Sequence, residues 1–304
     1  MLPKLLKKRA KSWGCYEQSR ALQLWRDVLV DGRDLPPTSA VVQELCAFSG
    51  FSEAEVRDLA ANSAAITAQK WAEAKPATPE ALRAFYQTVS NWCFGTLAYH
   101  ARQAEGENTP LPVKVAEWMA GRPIGTTLDY GAGVATASLM FAKMGWKVAI
   151  ADVSRPLLDF ASWRFRQRGV DAEVIDLNDA GIGVGKYDLV TAYNTMAHVD
   201  QLAPCLTAIH AALKPGGLFI FDVDTRQKGT GNEWHLFERD YPIIRLMRRL
   251  GFRPVAKTAE LYVYERVDVS AMAPVYGLID QLHYNRPAMW ALDRARRVKR
   301  KLLG

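Results

Sequence analysis

One stretch, residues 127–136, constrains the fold of this chain more than any other. It reads Thr-Leu-Asp-Tyr-Gly-Ala-Gly-Val-Ala-Thr, which is a short apolar strand ending on an acid, then a glycine turn, then the start of a helix. Gly131 and Gly133 permit positive φ angles and let a ligand approach bare backbone. The unpaired N–H groups of the following helix favour a carboxylate or a phosphate. The stretch therefore predicts a ligand-binding strand–turn–helix unit of an α/β fold.

Two residues of this stretch argue against a dinucleotide as the ligand. A dinucleotide fingerprint has its third glycine at the position where this chain has Thr136. Asp129, just before the turn, would also lie unfavourably close to a pyrophosphate. An acid at this place suits a ligand with a positive charge, such as the ammonium group of an amino acid.

From residue 126 onward, apolar runs alternate with helical patterns. The apolar runs lie at 127–130, 147–151, 172–175, 187–193 and 217–223, and the helical patterns at 136–144, 155–167 and 201–213. Continuous apolar runs between helices indicate a parallel sheet covered on both faces. Right-handed crossovers then wind it into a doubly wound, Rossmann-like α/β fold. After a helix at 242–250, the runs 252–258 and 260–267 are joined too tightly for a helical crossover, which predicts an antiparallel terminal hairpin.

Residues 12–115 are predicted to be all helical. Thr38 or Ser39 is expected to cap one helix, and the Ser52–Glu55 capping box begins the next. Thr78-Pro79 begins a single long helix that runs to Arg102. A helical cap of this size favours a buried, rather small ligand over an open nucleic-acid groove.

The chain is expected to divide into three segments. Residues 1–112 form a basic tail and a helical cap or lid, residues 113–270 form the α/β domain, and residues 271–304 form a helical extension with a second basic tail. The chain carries +7, residues 1–11 carry +5 and residues 293–304 carry +5, which leaves −3 for the rest. Because a nucleic-acid enzyme usually has positive charge around its active site, no nucleic-acid partner is expected. The tails are expected to be solvated or to contact an anionic membrane surface or an acidic protein.

The four cysteines give no sign of a disulfide framework or a zinc site. They are widely spaced, at Cys15, Cys46, Cys93 and Cys205, and no CxxC pair occurs. We expect reduced thiols and no bound metal. No apolar run approaches the roughly 20 residues needed to span a bilayer, and the N-terminal residues lack the apolar core of a secretory signal. These features predict a cytoplasmic protein, with membrane contact, if any, through its tails.

Three predicted strands end on an acid: Asp129, Asp152 and Asp176. Ligands of such sheets bind at the carboxyl ends of the strands. Asp152 follows the glycine turn by about 20 residues, where a carboxylate can accept hydrogen bonds from a ribose diol. Asp176 with Leu177 offers an acceptor for an amino group beside an apolar contact, which suits adenine. Each acid alone is more often a solvated residue at a strand end, but three in series favour one nucleoside ligand.

These motifs resemble those of the class I S-adenosylmethionine-dependent methyltransferases, in their small-molecule branch, over roughly residues 110–267. Residues 128–133 resemble the first motif of that family, although Ala135 replaces its common third glycine. Because a methyl group is small and compatible with a helix, this replacement is expected to be harmless. Residues 194–200 are similar to the segment after strand four, and residues 213–219 to the turn into strand five.

The resemblance implies S-adenosylmethionine as the cofactor. The 131–133 turn would hold the methionine carboxylate with Asp129 near the ammonium, Asp152 would bind the ribose hydroxyls, and Asp176 with Leu177 the adenine. The implied cofactor-binding residues are Asp129, Tyr130, Gly131, Ala132, Gly133, Asp152, Val153, Asp176, Leu177, Tyr193 and Asn194.

Methyl transfer is an in-line displacement at a sulfonium carbon, so it needs an oriented nucleophile and, where this carries a proton, a base. His198 is the first candidate base, by its position after the fourth strand and its near-neutral pKa, and His235 is the second. For His198 the alternative is a packing or loop-holding role. The candidate substrate-pocket residues are Trp92, Tyr99, Asp222 and Trp234. Aromatic faces can surround a cation, although at helical spacing they also fit a core.

The leading hypothesis is a methyltransferase that acts on an oxygen, nitrogen or carbon of a small molecule. A second hypothesis keeps the cofactor but cyclises it or transfers its aminocarboxypropyl group. A third is a non-catalytic, cofactor-binding scaffold protein. RNA or protein methylation is disfavoured, because the body of the chain is acidic and no Asn-Pro-Pro-Tyr motif follows the fourth strand.

Overall fold

A seven-stranded sheet forms the centre of the fold in the computed structural model, which describes residues 19–227 and 234–267. The predictions for both basic tails, Cys15 and the 271–304 extension lie outside the described residues. The strands are β1 Thr126–Tyr130, β2 Lys147–Asp152, β3 Ala172–Asp176, β4 Tyr187–Ala192, β5 Leu213–Asp222, β6 Phe252–Lys257 and β7 Leu261–Arg266. Their order is β3-β2-β1-β4-β5-β7-β6.

Strands β1 to β5 pair in parallel, and β7 pairs antiparallel with both β5 and β6. The predicted doubly wound fold with an antiparallel terminal hairpin is therefore confirmed. The order of the strands reverses between β1 and β4, and this switch point is where ligands of such sheets bind.

Ten α-helices accompany the sheet in the described part of the chain. The N-terminal six are α1 Arg20–Val30, α2 Pro37–Ser49, α3 Glu53–Ala74, α4 Pro79–Thr88, α5 Trp92–Ala104 and α6 Leu111–Met119. The others are α7 Thr136–Lys143, α8 Arg155–Gln167, α9 Leu202–Ala212 and α10 Tyr241–Arg249. Within the described ranges no helix is long and apolar enough to cross a bilayer. The thiols of Cys46, Cys93 and Cys205 are free.

The sheet buries both of its faces, because alternate residues of its inner strands point to opposite sides. Val148 and Ile150 of β2 join a core cluster with α7, α8 and the N-terminal helices α1, α2, α5 and α6. Ala149 and Ala151 of the same strand join a second cluster with α9 and α10. The N-terminal helices therefore share one core with the α/β part, while the division at residue 112 stays a prediction.

The predicted single helix from Thr78 to Arg102 is wrong. Helix α4 ends at Thr88, and Val89 is extended, with φ −73° and ψ 100°. The buried Asn91 side chain donates to the Ser63 carbonyl at 3.2 Å and to Thr67 Oγ1 at 3.0 Å. These partners lie on α3, more than 20 residues away along the chain, so a local pattern does not reveal them.

The predicted starts of α2 and α3 had different outcomes. The Ser52–Glu55 capping box of α3 is present with both of its hydrogen bonds. For α2 the predicted cap is wrong, because the helix begins at Pro37 with no side-chain cap. Thr38 instead donates its N–H and its hydroxyl to Glu105, both at 2.9 Å. The carboxylate of Glu105, distant along the chain, therefore accepts hydrogen bonds at the start of α2 in place of a local capping side chain.

Candidate functional site

A cavity of about 1020 Å³ opens at the carboxyl ends of β1, β2, β4 and β5, beneath α4 and α5. All the site residues predicted from the sequence line it except Asp176 and His235. Ligand cavities commonly measure about 300–1,000 Å³. The cavity therefore has room for a nucleoside-sized ligand together with a second, small molecule.

The glycine turn lies in this cavity with both glycines at positive φ, +74° for Gly131 and +53° for Gly133. A Cβ atom on Gly131 would clash with the side chain of Thr195. A Cβ atom on Gly133 would meet nothing within 4 Å. The missing side chain at 131 thus lets the 193–195 loop pack on the turn, and the missing side chain at 133 leaves open space for a ligand.

Ala135 is not helical, although its predicted role assumed that it is. It lies in the left-handed region, at φ 55° and ψ 26°, as the N-cap of α7. From the sequence, the methyl group of Ala135 is expected to be harmless because it suits a helix. That reason is wrong, since Ala135 lies outside the helix. A non-glycine residue in this conformation costs roughly 1–2 kcal/mol, so the surrounding contacts must hold it there.

Asp129 and Asp152 are buried on neighbouring strands, Asp129 on β1, which leads into the turn, and Asp152 at the end of β2. Asp129 accepts hydrogen bonds from Ser138 Oγ at 2.9 Å and Thr191 Oγ1 at 3.2 Å. Burial, with a contribution from the charge of Asp152, raises the pKa of Asp129 to about 6. Asp152 accepts the Gly133 N–H at 3.0 Å and the Ser154 N–H at 2.9 Å, and burial raises its pKa as well. Both carboxylates are fixed in place, so a ligand meets a rigid pair.

Asp176 lies outside the cavity lining. Its carboxylate accepts the backbone and side-chain N–H groups of Asn178 and forms an ion pair with Arg155 at 3.0 Å. Leu177 and the loop 180–182 line the cavity there instead. Of the two residues predicted to contact adenine, Leu177 therefore lines the cavity, while the Asp176 carboxylate is engaged by Arg155 outside the lining.

His198 ends a 3-10 turn, Met196–His198, that follows β4. Its Nδ1 lies 2.8 Å from the carbonyl oxygen of Trp234. Because a carbonyl only accepts, this nitrogen carries the proton and Nε2 carries the lone pair. Burial, and then the charge of His235, lowers the pKa of His198 to about 4, so the ring is neutral at physiological pH.

His235 lies behind His198 rather than in the cavity. The ring centroids of the two histidines are 4.7 Å apart, and His235 Nε2 lies 3.4 Å from Asp224 Oδ2. His235 therefore contacts the candidate base and Asp224, two residues beyond β5, without lining the ligand space.

Asp222 ends β5 and is buried against the 193–195 loop. Its Oδ1 accepts the Asn194 N–H at 2.7 Å. Burial, reinforced by the charges of Asp224 and Glu260, raises the pKa of Asp222 to about 7. Near neutral pH this group can therefore donate or accept a hydrogen bond inside the cavity.

Aromatic side chains form the cavity wall beside His198. Tyr86 contacts Trp92 with ring centroids 5.3 Å apart, and its ring lies 6.1 Å from that of His198. The Tyr86 hydroxyl donates to the Trp234 carbonyl at 3.2 Å. Tyr86 and Thr195 were not among the predicted site residues. Tyr86 belongs to the aromatic helix face that could surround a cation, although residues at such helical spacing are more often core. Nothing in the local sequence indicates the contact of Thr195 with the turn.

Residues 128–219 match a protein-family model described as a methyltransferase domain. A ubiquinone biosynthesis O-methyltransferase of Paraburkholderia xenovorans is 30% identical over 104 residues, which are 33% of this chain and 45% of that protein. One of Azotobacter vinelandii is 26% identical over 200 residues, or 61% of this chain and 84% of that protein.

The similarity is partial in length. The chain spans 45% of the Paraburkholderia xenovorans protein and 61% of a relative of the same description in Paraburkholderia phytofirmans. Among solved structures, a geranyl diphosphate C-methyltransferase from Streptomyces coelicolor is 15% identical, with a TM-score of 0.45, over 59% of this chain and 82% of that chain.

Proposed function

Since this chain belongs to the class I S-adenosylmethionine-dependent methyltransferases, as its motifs predict and the family match confirms, we propose that it transfers a methyl group to a hydroxyl oxygen of a small molecule. One observation carries the proposal. The glycine turn and a neutral histidine with an accepting nitrogen line the same cavity. The arrangement brings a cofactor site and a proton acceptor together.

The residues around the turn fit the cofactor. Gly133 leaves open space beside the N-terminus of α7 for a carboxylate, and Asp129 is placed for an ammonium group. The Asp152 carboxylate lines the cavity for the ribose hydroxyls, and the buried Tyr193 hydroxyl has no hydrogen-bond partner of standard geometry among the described residues. When bound, S-adenosylmethionine supplies an electrophilic methyl group on a sulfonium centre.

His198 is proposed as the base that takes the hydroxyl proton of the acceptor at Nε2. The hydrogen bond from Nδ1 to the Trp234 carbonyl fixes both the tautomer and the direction of the ring. Its lowered pKa of about 4 makes the base weak but leaves it deprotonated throughout the physiological range. A weak base suffices, because the hydroxyl proton becomes strongly acidic as its oxygen gains a third bond.

The acceptor is proposed to lie between the aromatic wall and Asp222. Tyr86, Trp92 and Trp234 supply an apolar and aromatic surface, and Asp222 supplies a hydrogen bond that orients a polar substituent. The matched relatives that are named O-methyltransferases support oxygen as the acceptor atom.

The test is incubation of the full chain with S-adenosylmethionine and a set of small hydroxylated, amine and carbon acceptors, with product analysis by mass spectrometry. We expect S-adenosylhomocysteine together with an O-methylated product. Methylthioadenosine instead would indicate cyclisation or aminocarboxypropyl transfer. Tight cofactor binding without turnover on any acceptor would favour the scaffold hypothesis.

The first prediction concerns His198→Asn. The asparagine amide can still donate to the Trp234 carbonyl, but it offers no basic nitrogen to the cavity, so kcat should fall by about 10²-fold or more. Binding of S-adenosylhomocysteine, measured by calorimetry, should stay within about twofold. His210→Asn is the matched control, since His210 does not line the cavity, and its kcat should equal that of the wild type. Wild-type kcat in His198→Asn would leave His198 with the packing role.

A further inference from the structure

A buried ion-pair network lies behind the glycine turn, and no sequence motif predicts it. Glu44 of α2 and Arg164 of α8 are 3% and 0% exposed. Arg164 Nε donates to Glu44 Oε1 at 2.9 Å, and Arg168 Nη2 lies 2.7 Å from the same oxygen. We call Glu44, Arg164 and Arg168 the buried network. It joins an N-terminal helix to the helix that follows β2.

Arg164 alone of the two arginines reaches the turn. Its Nη1 donates to the Val134 carbonyl and, at 2.9 Å, to Thr136 Oγ1. These two residues flank Ala135, whose left-handed conformation is unfavourable for a residue with a Cβ atom. One guanidinium therefore holds both sides of the strained position, directly after Gly133.

A second N-terminal helix contacts the same place. His100 of α5 has its Nδ1 3.1 Å from Thr136 Oγ1. Burial, and then the charge of Arg164, lowers the pKa of His100 to about 3, so the ring is neutral. The Thr136 hydroxyl thus accepts a hydrogen bond from Arg164 and shares a second one with Nδ1 of His100. Helices α2, α5 and α8 converge behind residues 134–136.

Stability alone is a poor reason for this network. Burying an ion pair costs desolvation that its attraction often fails to recover. Arg164 Nη2 in addition has no hydrogen-bond partner among the described residues. At the edge of the buried network, Arg33 lies 3.9 Å from Glu44 and Asp31 lies 3.6 Å from Arg168. Together these five residues carry three positive and two negative charges. A net positive charge is buried behind the N-terminus of α7, where N–H groups of the first helical turn suit a carboxylate.

We infer that Arg164, held by Glu44, is a positioning residue for the cofactor turn, so that cofactor affinity depends on the N-terminal helices. This inference rests on the proposed function, in which Gly133 and the N-terminus of α7 contact the carboxylate of S-adenosylmethionine. The helices of the cap are then part of the cofactor site as well as a cover for the acceptor.

The test compares Arg164→Lys with Arg168→Lys in the full chain. Both arginine side chains are buried and pair with Glu44, Arg164 from within α8 and Arg168 from the position that caps its end, but Arg168 donates to the carbonyls of Arg164 and Val28 rather than to residues 134–136. We expect both variants to lower the midpoint of thermal unfolding. Only Arg164→Lys should weaken S-adenosylhomocysteine binding by calorimetry, by about tenfold, and raise KM for S-adenosylmethionine without raising KM for the acceptor.

Two further measurements keep the inference testable if Arg164→Lys folds poorly. Thr136→Val removes the hydroxyl that Arg164 and His100 share, and it should weaken S-adenosylhomocysteine binding in the same direction. Hydrogen exchange without ligand should be faster over residues 132–137 in Arg164→Lys and Thr136→Val but not in Arg168→Lys.

The outcomes separate this inference from the proposed function. Equal weakening of binding by Arg164→Lys and Arg168→Lys, or wild-type binding in Arg164→Lys and Thr136→Val, would overturn the positioning role while leaving the methyltransferase in place. A wild-type chain that binds neither S-adenosylmethionine nor S-adenosylhomocysteine would overturn both.

Discussion

Burial moves the titratable side chains of the cavity toward their neutral forms. It raises the pKa of Asp129 to about 6 and that of Asp222 to about 7, and it lowers the pKa of His198 to about 4. Groups with perturbed pKa values in a cleft are candidates for acid–base and binding roles. At neutral pH the site therefore presents a neutral histidine and an acid that is only partly ionised.

We predict that Asp222→Asn stabilises the fold above neutral pH while impairing turnover. The folded pKa of about 7 lies above the unfolded value of 3.8. The folded state therefore binds the proton more tightly, and wild-type stability is lost as pH rises between these values. Asparagine keeps an acceptor for the Asn194 N–H and does not titrate. The gain in unfolding free energy should grow from near zero at pH 4 to about 2–4 kcal/mol at pH 8, measured by denaturant titration.

Asp188→Asn is the control of opposite sign. Burial alone would raise the pKa of Asp188, but hydrogen bonds from Lys214 and Thr126 outweigh it and lower the pKa. Its contribution is present at neutral pH and is lost as pH falls through the lowered pKa. Asp188→Asn should therefore destabilise the chain at neutral pH and less so in acid. If the change in unfolding free energy of Asp222→Asn followed the same pH trend as that of Asp188→Asn, the raised pKa of Asp222 would be contradicted.

At the scale of the elements, the break between α4 and α5 shapes the cavity wall. Tyr86 lies before the break and Trp92 after it, and their rings contact each other. Val89 packs with Leu82 and Phe85 in a small cluster between them. An uninterrupted helix would direct these side chains by helical spacing alone, so the break is what places them together.

We predict that Asn91→Ala lowers the free energy of unfolding by about 1–3 kcal/mol, because it removes two buried hydrogen bonds to α3. KM for the acceptor should rise as Tyr86 and Trp92 shift, with S-adenosylhomocysteine affinity unchanged. Asn62→Ala is the matched control, since Asn62 is exposed and makes one hydrogen bond to Asp58 within α3. Equal effects of the two variants on unfolding would show that Asn91 does not hold the break.

At the scale of the whole molecule, one core joins the N-terminal helices to the sheet. Trp25 and Leu29 of α1 belong to the same buried cluster as Phe141 of α7 and Ile150 of β2. The Trp25 indole also donates to the His100 carbonyl at 3.2 Å. Neither the helices nor the sheet buries this surface without the other.

We therefore predict a single cooperative unfolding transition for the full chain. Calorimetry and near- and far-ultraviolet circular dichroism should give coincident midpoints. Because a ligand stabilises the unit that binds it, S-adenosylhomocysteine should raise the midpoint of the entire transition. Two transitions, with only one shifted by the ligand, would mean that the cap and the α/β part fold separately.

The amino-acid sequence by itself determined the sheet, the glycine turn and the positions of Asp129 and Asp152. Each of these follows from local causes: apolar runs, glycine conformation and the direction of strands. The sequence also indicated that His198, after β4, and Asp222, at the end of β5, lie near the ligand space, since strand ends converge in a parallel sheet.

The tertiary structure alone decided the rest. It engaged Asp176 with Arg155, broke the long helix between Thr88 and Trp92, and placed Arg164 in hydrogen bonds on both sides of the left-handed Ala135. It also placed the pKa of Asp222 near neutrality. These features depend on burial and on partners far apart in the chain, and a free energy that arises only when distant residues meet leaves no local pattern in the sequence.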